Sequence, residues 1–380
     1  MRPVSAREPI YLDYAATTPV DERVLQAMLP YYTTHFGNPS SLYSFGRTAR
    51  QAVAHARRQV AALLGAAGEE IFFTSGGSES DNWAIKGMAL AQRRTAGKRH
   101  IITTAIEHHA VLNTCAWLAE QGFDVTYLPV DSKGRVTAAQ VGAALRDDTA
   151  LVSIMYANNE VGTIEPIAEI GAMLRARGVF FHTDAVQAAG HVPIDVQTLN
   201  VDALSLSGHK LYGPKGIGAL YLRRGWQLYP LIHGGAQERE QRAGTENVPG
   251  IVGLGCAAEL AAQEMGTEQK RLVALRDKLI VGLQAMGAEI NGDLTYRLPG
   301  NVNFRLPGHD HEVLLIRLDL AGFAVSAGSA CSAGSLEPSH VLRAMGQTTQ
   351  QANEVVRVTL GRYTTLDDIK AFLATLKVIS

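Results

Sequence analysis

Residues 179–187 read VFFHTDAVQ and residues 202–224 read DALSLSGHKLYGPKGIGALYLRR. Each holds an apolar run of strand length, and each run leads into a charged residue: Asp184 in the first, Lys210 in a Ser-Gly-His-Lys turn in the second. Short continuous apolar runs bounded by turn residues read as strands buried on both faces, as in a parallel sheet. An acid and a lysine after two such strands are the pair that pyridoxal phosphate requires. Lys210 would hold the cofactor as an imine, and Asp184 would keep its pyridine nitrogen protonated so that the ring accepts electrons. The bland alternative is a solvated surface lysine. Ser207, His209 and the Gly213-Pro214-Lys215-Gly216 turn around Lys210 weigh against it.

From about Arg47 onward, helical periodicity (ARQAVAHARRQVAALL, ESDNWAIKGMAL, AVLNTCAWLAE) alternates with short apolar runs (IFFT, HIITT, DVTYL, ALVSIMYA, VFFHT). The expectation is an α/β fold, a mostly parallel sheet covered by helices. Ligands of such sheets bind in the loops beyond the strands' carboxyl ends. Candidate residues recur there: Gly76 to Ser78 after IFFTS, His108 after HIITTAIE, Asn159 after SIMYAN, then Asp184 and Lys210. After roughly Gly255 the pattern becomes a long amphipathic helix followed by VNFRL, HEVLLIRLDL, VVRVTL and DDIKAFLATL. This predicts a large domain over 17–255 and a smaller α+β domain made of 1–16 plus 256–380.

The chain has 380 residues, 46% hydrophobic and 19% charged, enough to bury a large core and a second smaller one. A net charge of -1 gives no general attraction to nucleic acid or anionic lipid. MRPVSAREPIYLDY lacks the apolar centre of a signal peptide, and no apolar stretch is of bilayer length, so a cytoplasmic location is expected. Three cysteines, Cys115, Cys256 and Cys331, show no metal-ligand spacing and form no even set, which fits a reducing compartment and no metal. Cys115 and Cys256 lie in apolar helical contexts, whereas Cys331 sits in VSAGSACSAGSLEPS, a run of small polar residues that favours an accessible loop.

Smaller signals admit two readings each. Gly76, Gly77 and Ser78 precede a helix, so backbone N–H groups and a hydroxyl could meet a phosphate; an ordinary serine-capped turn would look the same. His108 could stack on a cofactor ring and shuttle a proton, or simply start a helix. Gln187 reaches a cofactor's ring oxygen if the chain enters a helix after Asp184; otherwise it faces solvent. Arg357, alternating with apolar neighbours in NEVVRVTLGR, is either a strand-edge arginine or the clamp of a substrate carboxylate. GPKGIG lacks the spacing of a nucleotide P-loop and reads as a hairpin turn into GIGALYL.

Taken together the motifs resemble the cysteine desulfurases of the NifS/IscS type, within the fold-type I, class V aminotransferase-like enzymes. The resemblance runs from YLDYAATTPVD and NPSSLYSFGR through FTSGGSESDN, EHHAVL, NNEVGTIEPI, HTDAVQ, SGHKLYGPKGIGALY and GGAQEREQRAGTENVPG to SAGSACSAGSLEPSHVLRAMG and VRVTLGR. It implies a fold-type I transferase with pyridoxal phosphate on Lys210, Asp184 against the pyridinium, Gln187 at the ring oxygen and His108 over the ring. Gly77, Ser78, Ser207 and His209 match the phosphate side, with Thr245 contributed by the other subunit of a homodimer. Asn159 and Arg357 match the substrate-carboxylate contacts, and Cys331 the sulfur-accepting nucleophile. Gly77-Ser78 stands where the family often has Ala-Thr, and the segment around Cys331 resembles the branch with an extended loop.

The implied reaction takes sulfur from L-cysteine as a persulfide on Cys331, releases L-alanine, and passes the sulfur to an iron–sulfur scaffold or sulfur-carrier protein. A selenocysteine lyase or a class V aminotransferase would share Lys210 and Asp184. A catalytically silent scaffold would keep the fold alone.

Overall fold

The computed structural model describes residues 9–327 and 338–380; Gly328, Cys331 and Gly334 lie outside the described residues. The main sheet has seven strands: β1 Ile71–Thr74, β2 His100–Thr104, β3 Asp124–Leu128, β4 Thr149–Ser153, β5 Phe180–Asp184, β6 Ala203–Ser207 and β7 Gly218–Leu222, in the order β1-β7-β6-β5-β4-β2-β3. Only β7 runs antiparallel to its neighbours, because Gly208 to Ile217 folds back and pairs Ser207 with Gly218. Along every strand except the edge strand β3, alternate residues enter different cores. Phe73, Val152, Phe181, Leu204 and Tyr221 join the helices α1 Ser44–Leu64 and α4 Val248–Gln284. Phe72, Ile101, Leu151, Phe180 and Leu220 join α2 Gly77–Ala96 and α3 His109–Glu120. Burial on both faces is why these strands read as unbroken apolar runs.

A smaller antiparallel sheet comprises β8 Glu289–Asn291, β9 Asn301–Arg305, β10 Ser326–Ala327 and β11 Val355–Thr359, ordered β10-β11-β9-β8. It forms a separate core with Leu272, Leu275, Leu279 and Leu283 of α4, and with Leu12 of the N-terminal segment. Ile251, Leu254 and Ala258 of the same helix belong to the main core, so α4 ties the two together and runs through position 255 without a break. Among the described residues no helix is long and apolar enough to cross a membrane.

Candidate active site

The first residues of α2 follow directly on β1. Gly76 adopts φ 156°, ψ −177°, a region that residues with a Cβ avoid. A Cβ on Gly77 would lie 2.6 Å from Val186 Cγ2, so glycine is what lets the helix start press against the loop after β5. The first N–H bonded within the helix register is that of Ser80, to Gly76 O at 3.1 Å. The preceding N–H groups therefore end at the positive pole of a 20-residue helix, which suits an anion.

The loops at the carboxyl ends of the parallel strands enclose a cavity of about 330 Å³ that brings together Gly77, Ser78, His108, Asn159, Asp184, Gln187, Ser207, His209, Lys210 and Arg357. Thr245 is not among its walls; it lines a separate cavity of about 200 Å³ with Thr74, Ser75 and Arg242. Cys331 lies outside the described residues.

Lys210 ends a tight turn, Gly208–Lys210, and its Nζ donates to the carbonyls of Ala15 and Ala16, the latter at 2.7 Å. The N-terminal segment is sewn to the same turn by Thr18, whose N–H and hydroxyl both donate to His209 O. Asp184 is buried, and its Oδ1 accepts the Val186 N–H at 2.9 Å. Burial pushes its carboxyl above the usual range, while His108, that N–H and Lys210 pull it back.

His108 caps α3, and its Nδ1 accepts the Ala110 N–H at 3.1 Å, so in the neutral ring the proton sits on Nε2. His209 is held near pKa 4 by burial and by the neighbouring Lys210 and Lys215, which makes it a neutral imidazole. After Asp184 the chain forms a turn rather than a continuing helix, with Ala188 N and Ala189 N both bonded to Ala185 O. Gln187 still reaches the cavity, and its amide donates to Ala15 O at 3.0 Å.

Arg357 on β11 is 1% exposed. Its Nη2 pairs with Asp13 Oδ1 at 2.8 Å, Nη1 donates to Asn159 O at 3.1 Å, and Nε has no partner among the described residues. Asn159 thus engages Arg357 through its backbone carbonyl. Sequence reasoning passed over Asp13, the Ala15 and Ala16 carbonyls, and Asp81, which also lines the cavity. Asp13 and Asp81 lie inside LDYAATT and SESDNW, but a carbonyl leaves no mark in a sequence.

An anion-seeking helix start, a buried carboxyl and a lysine amine in one cavity fit the phosphate, ring nitrogen and aldehyde of pyridoxal phosphate. The chain matches the model of the aminotransferase class-V family over residues 10–372, and it belongs to that family. It is 56% identical over 365 residues to cysteine desulfurase IscS of Methanosarcina thermophila, covering 96% of this chain and 90% of that protein. Its fold superposes on a NifS-like protein with a TM-score of 0.92 at 41% identity, covering 98% of this chain and 99% of the other. It also superposes on SspA in complex with cysteine, with a TM-score of 0.82 at 41% identity over 94% and 100% of the two chains.

Proposed function

We propose that the chain is a pyridoxal phosphate-dependent cysteine desulfurase that transfers the sulfur of L-cysteine to Cys331 and releases L-alanine. The observation that carries this reading is the meeting of Lys210 Nζ, the buried Asp184 carboxyl and the start of α2 in one cavity, in a chain so similar to a cysteine desulfurase. Gly77, Ser78, Ser207 and His209 would hold the phosphate, Asp184 the ring nitrogen, Gln187 the ring oxygen and His108 the ring face. When bound, the cofactor supplies an electron sink for the charge left as the substrate loses its Cα proton.

Lys210 Nζ anchors the cofactor in the resting enzyme and, unprotonated, takes that Cα proton. His108 exchanges protons through Nε2, since Nδ1 is committed to Ala110. Asp13 and the Asn159 carbonyl fix the Arg357 guanidinium at the cavity wall, where it would meet the substrate carboxylate. The Cys331 thiolate attacks the substrate sulfur. A carbon–sulfur bond breaks with its electron pair left on carbon and a sulfur–sulfur bond forms, so the substrate becomes alanine once its β-carbon is protonated and Lys210 returns the proton to Cα. An iron–sulfur scaffold or sulfur-carrier protein then accepts the persulfide sulfur.

With L-cysteine as sole substrate, amino-acid analysis is expected to find one alanine for each sulfur released, with no keto acid required. A keto-acid requirement would make the chain an aminotransferase instead. Faster turnover of selenocysteine than of cysteine would make it a selenocysteine lyase.

We also assign a homodimer. Thr245 lies away from its own chain's cavity, and Phe36, Leu42 and Tyr43 are 67%, 84% and 62% exposed around the start of α1. Exposed apolar side chains gathered near one helix start, with the Phe36 and Phe45 rings in contact, suit a contact surface. Sedimentation velocity is expected to give the dimer mass; a monomer at micromolar concentration would refute the assignment. The free thiols Cys115 and Cys256 accord with a cytoplasmic location.

A further inference from the structure

The proposed chemistry uses one acid, yet the cavity is lined by a second, Asp81, from the first turns of α2. Asp81 is 1% exposed, and its Oδ1 has no hydrogen-bond partner among the described residues. The basic group facing it is His182, with Nε2 at 3.7 Å from Oδ1. His182 precedes Asp184 by two residues on β5, so the period of the strand sends both side chains to the face covered by α2.

His182 does not neutralise Asp81. Both ring nitrogens are occupied by hydroxyls at 2.9 Å, Nδ1 by Ser153 and Nε2 by Ser205. Burial holds the ring near pKa 3, so it is neutral. The charged groups acting on Asp81 are acids: Asp184 and Glu107 both add to the effect of burial, and only the Ser205 hydroxyl favours its ionised form. Glu107 is itself pushed up to about 8 by burial, with Oε1 bonded to the Thr104 hydroxyl and the Met155 N–H.

Asp184 is placed differently. It has the Val186 N–H on Oδ1, and His108 and Lys210 favour its charge. Two buried carboxyls lining one cavity do not readily both ionise, and the charge settles where the donors and cations are.

We infer that Asp81 is held as a neutral carboxylic acid beside Asp184 and acts as a positioning residue, so that the single negative charge of the pair belongs to Asp184. Its consequence for the reaction rests on the reading above, in which Asp184 faces a ring nitrogen. A neutral Asp81 leaves one carboxylate for one ring cation, and no second anion competes for the proton.

The test uses the full chain stripped of cofactor. Infrared difference spectra of the parent against Asp81→Asn at neutral pH are expected to lose one protonated-carboxyl stretch, distinct from the band lost in Glu107→Gln. In Asp184→Asn the Asp81 band should titrate away about one pH unit or more lower, because the neighbouring charge is gone. No band lost in Asp81→Asn, or an Asp81 band indifferent to Asp184→Asn, overturns the inference; should Asp81→Asn fold poorly, Asp81→Glu, which keeps the carboxyl and is expected to shift the frequency of that one band, assigns it instead.

Stability gives an independent sign. A carboxyl whose pKa is raised by folding contributes fully below its unfolded value of about 3.9, and the contribution is lost as pH rises toward the folded value. The asparagine variant lacks that loss. Its melting temperature relative to the parent should therefore climb between about pH 5 and 8, and a constant deficit across that range would refute a neutral Asp81. No readout involves cofactor or substrate, so these results stand or fall separately from the desulfurase reading.

Discussion

Lys210→Ala is expected to abolish alanine formation from cysteine. General-base catalysis alone is worth about 10²–10⁴-fold, and the same substitution removes the covalent anchor. Borohydride reduction of the parent, followed by peptide mapping, should place the cofactor label on Lys210; the variant should take no label. The side chain also donates to the Ala15 and Ala16 carbonyls, so its loss loosens one attachment of the N-terminal segment. That segment keeps the Thr18 bonds to His209 O and the Thr18 hydroxyl bond to Tyr212 N, so the fold should survive, which thermal melting would show. Turnover above about a hundredth of the parent rate, or a label on another residue, would refute the assignment of base and anchor.

The parts of this site that could be read from the sequence lie at the ends of strands. VFFHTD and ALSLSGHK announce themselves because both sheet faces are buried: an unbroken apolar run has to end at a loop, and Asp184 and Lys210 stand at those ends. The hairpin reading of GPKGIG follows from the same logic, and β6 and β7 pair antiparallel across it.

The sequence misleads where periodicity carries no boundary. The helical pattern after Gly255 begins earlier, at Val248, and one continuous helix serves both cores, since its apolar positions satisfy whichever core they meet. The local structure around Gln187 was also illegible. The chain there makes isolated helix-like bonds, Ala189 N to Ala185 O and Val192 N to Ala188 O, without continuing as a helix, and Val186 lies against Gly77, more than a hundred positions away in the chain.

What remained hidden is what joins distant segments. Arg357 is fixed by Asp13, 344 positions away, and Lys210 meets Ala15, 195 positions away. These contacts come from the second core drawing in Leu12 and the parallel pairing of Ile10 with Phe323, both tertiary events. Arg357 consequently reads as an ordinary strand arginine until Asp13 is seen beside it.

Cys331→Ala is the other substitution with a near-total effect, and the described thiols explain why no other cysteine should replace it. The chain has three cysteines. Cys115 is buried in the core between α2 and α3, and its thiol is pushed up to about 12. Cys256 sits on α4 with its thiol raised by burial and directed at Arg23 O at 3.9 Å. Neither lines the cavity. A thiol must ionise to attack sulfur, and an ordinary one is only a few per cent thiolate at neutral pH, so raising its pKa further removes it as a nucleophile. The variant is therefore expected to bind cysteine, seen as a change in the visible absorbance of the bound cofactor, yet to form no persulfide by mass spectrometry and to release no sulfide. Desulfuration by Cys331→Ala at the parent rate would mean that sulfur leaves the substrate without a protein thiol, and the role given to Cys331 would be wrong.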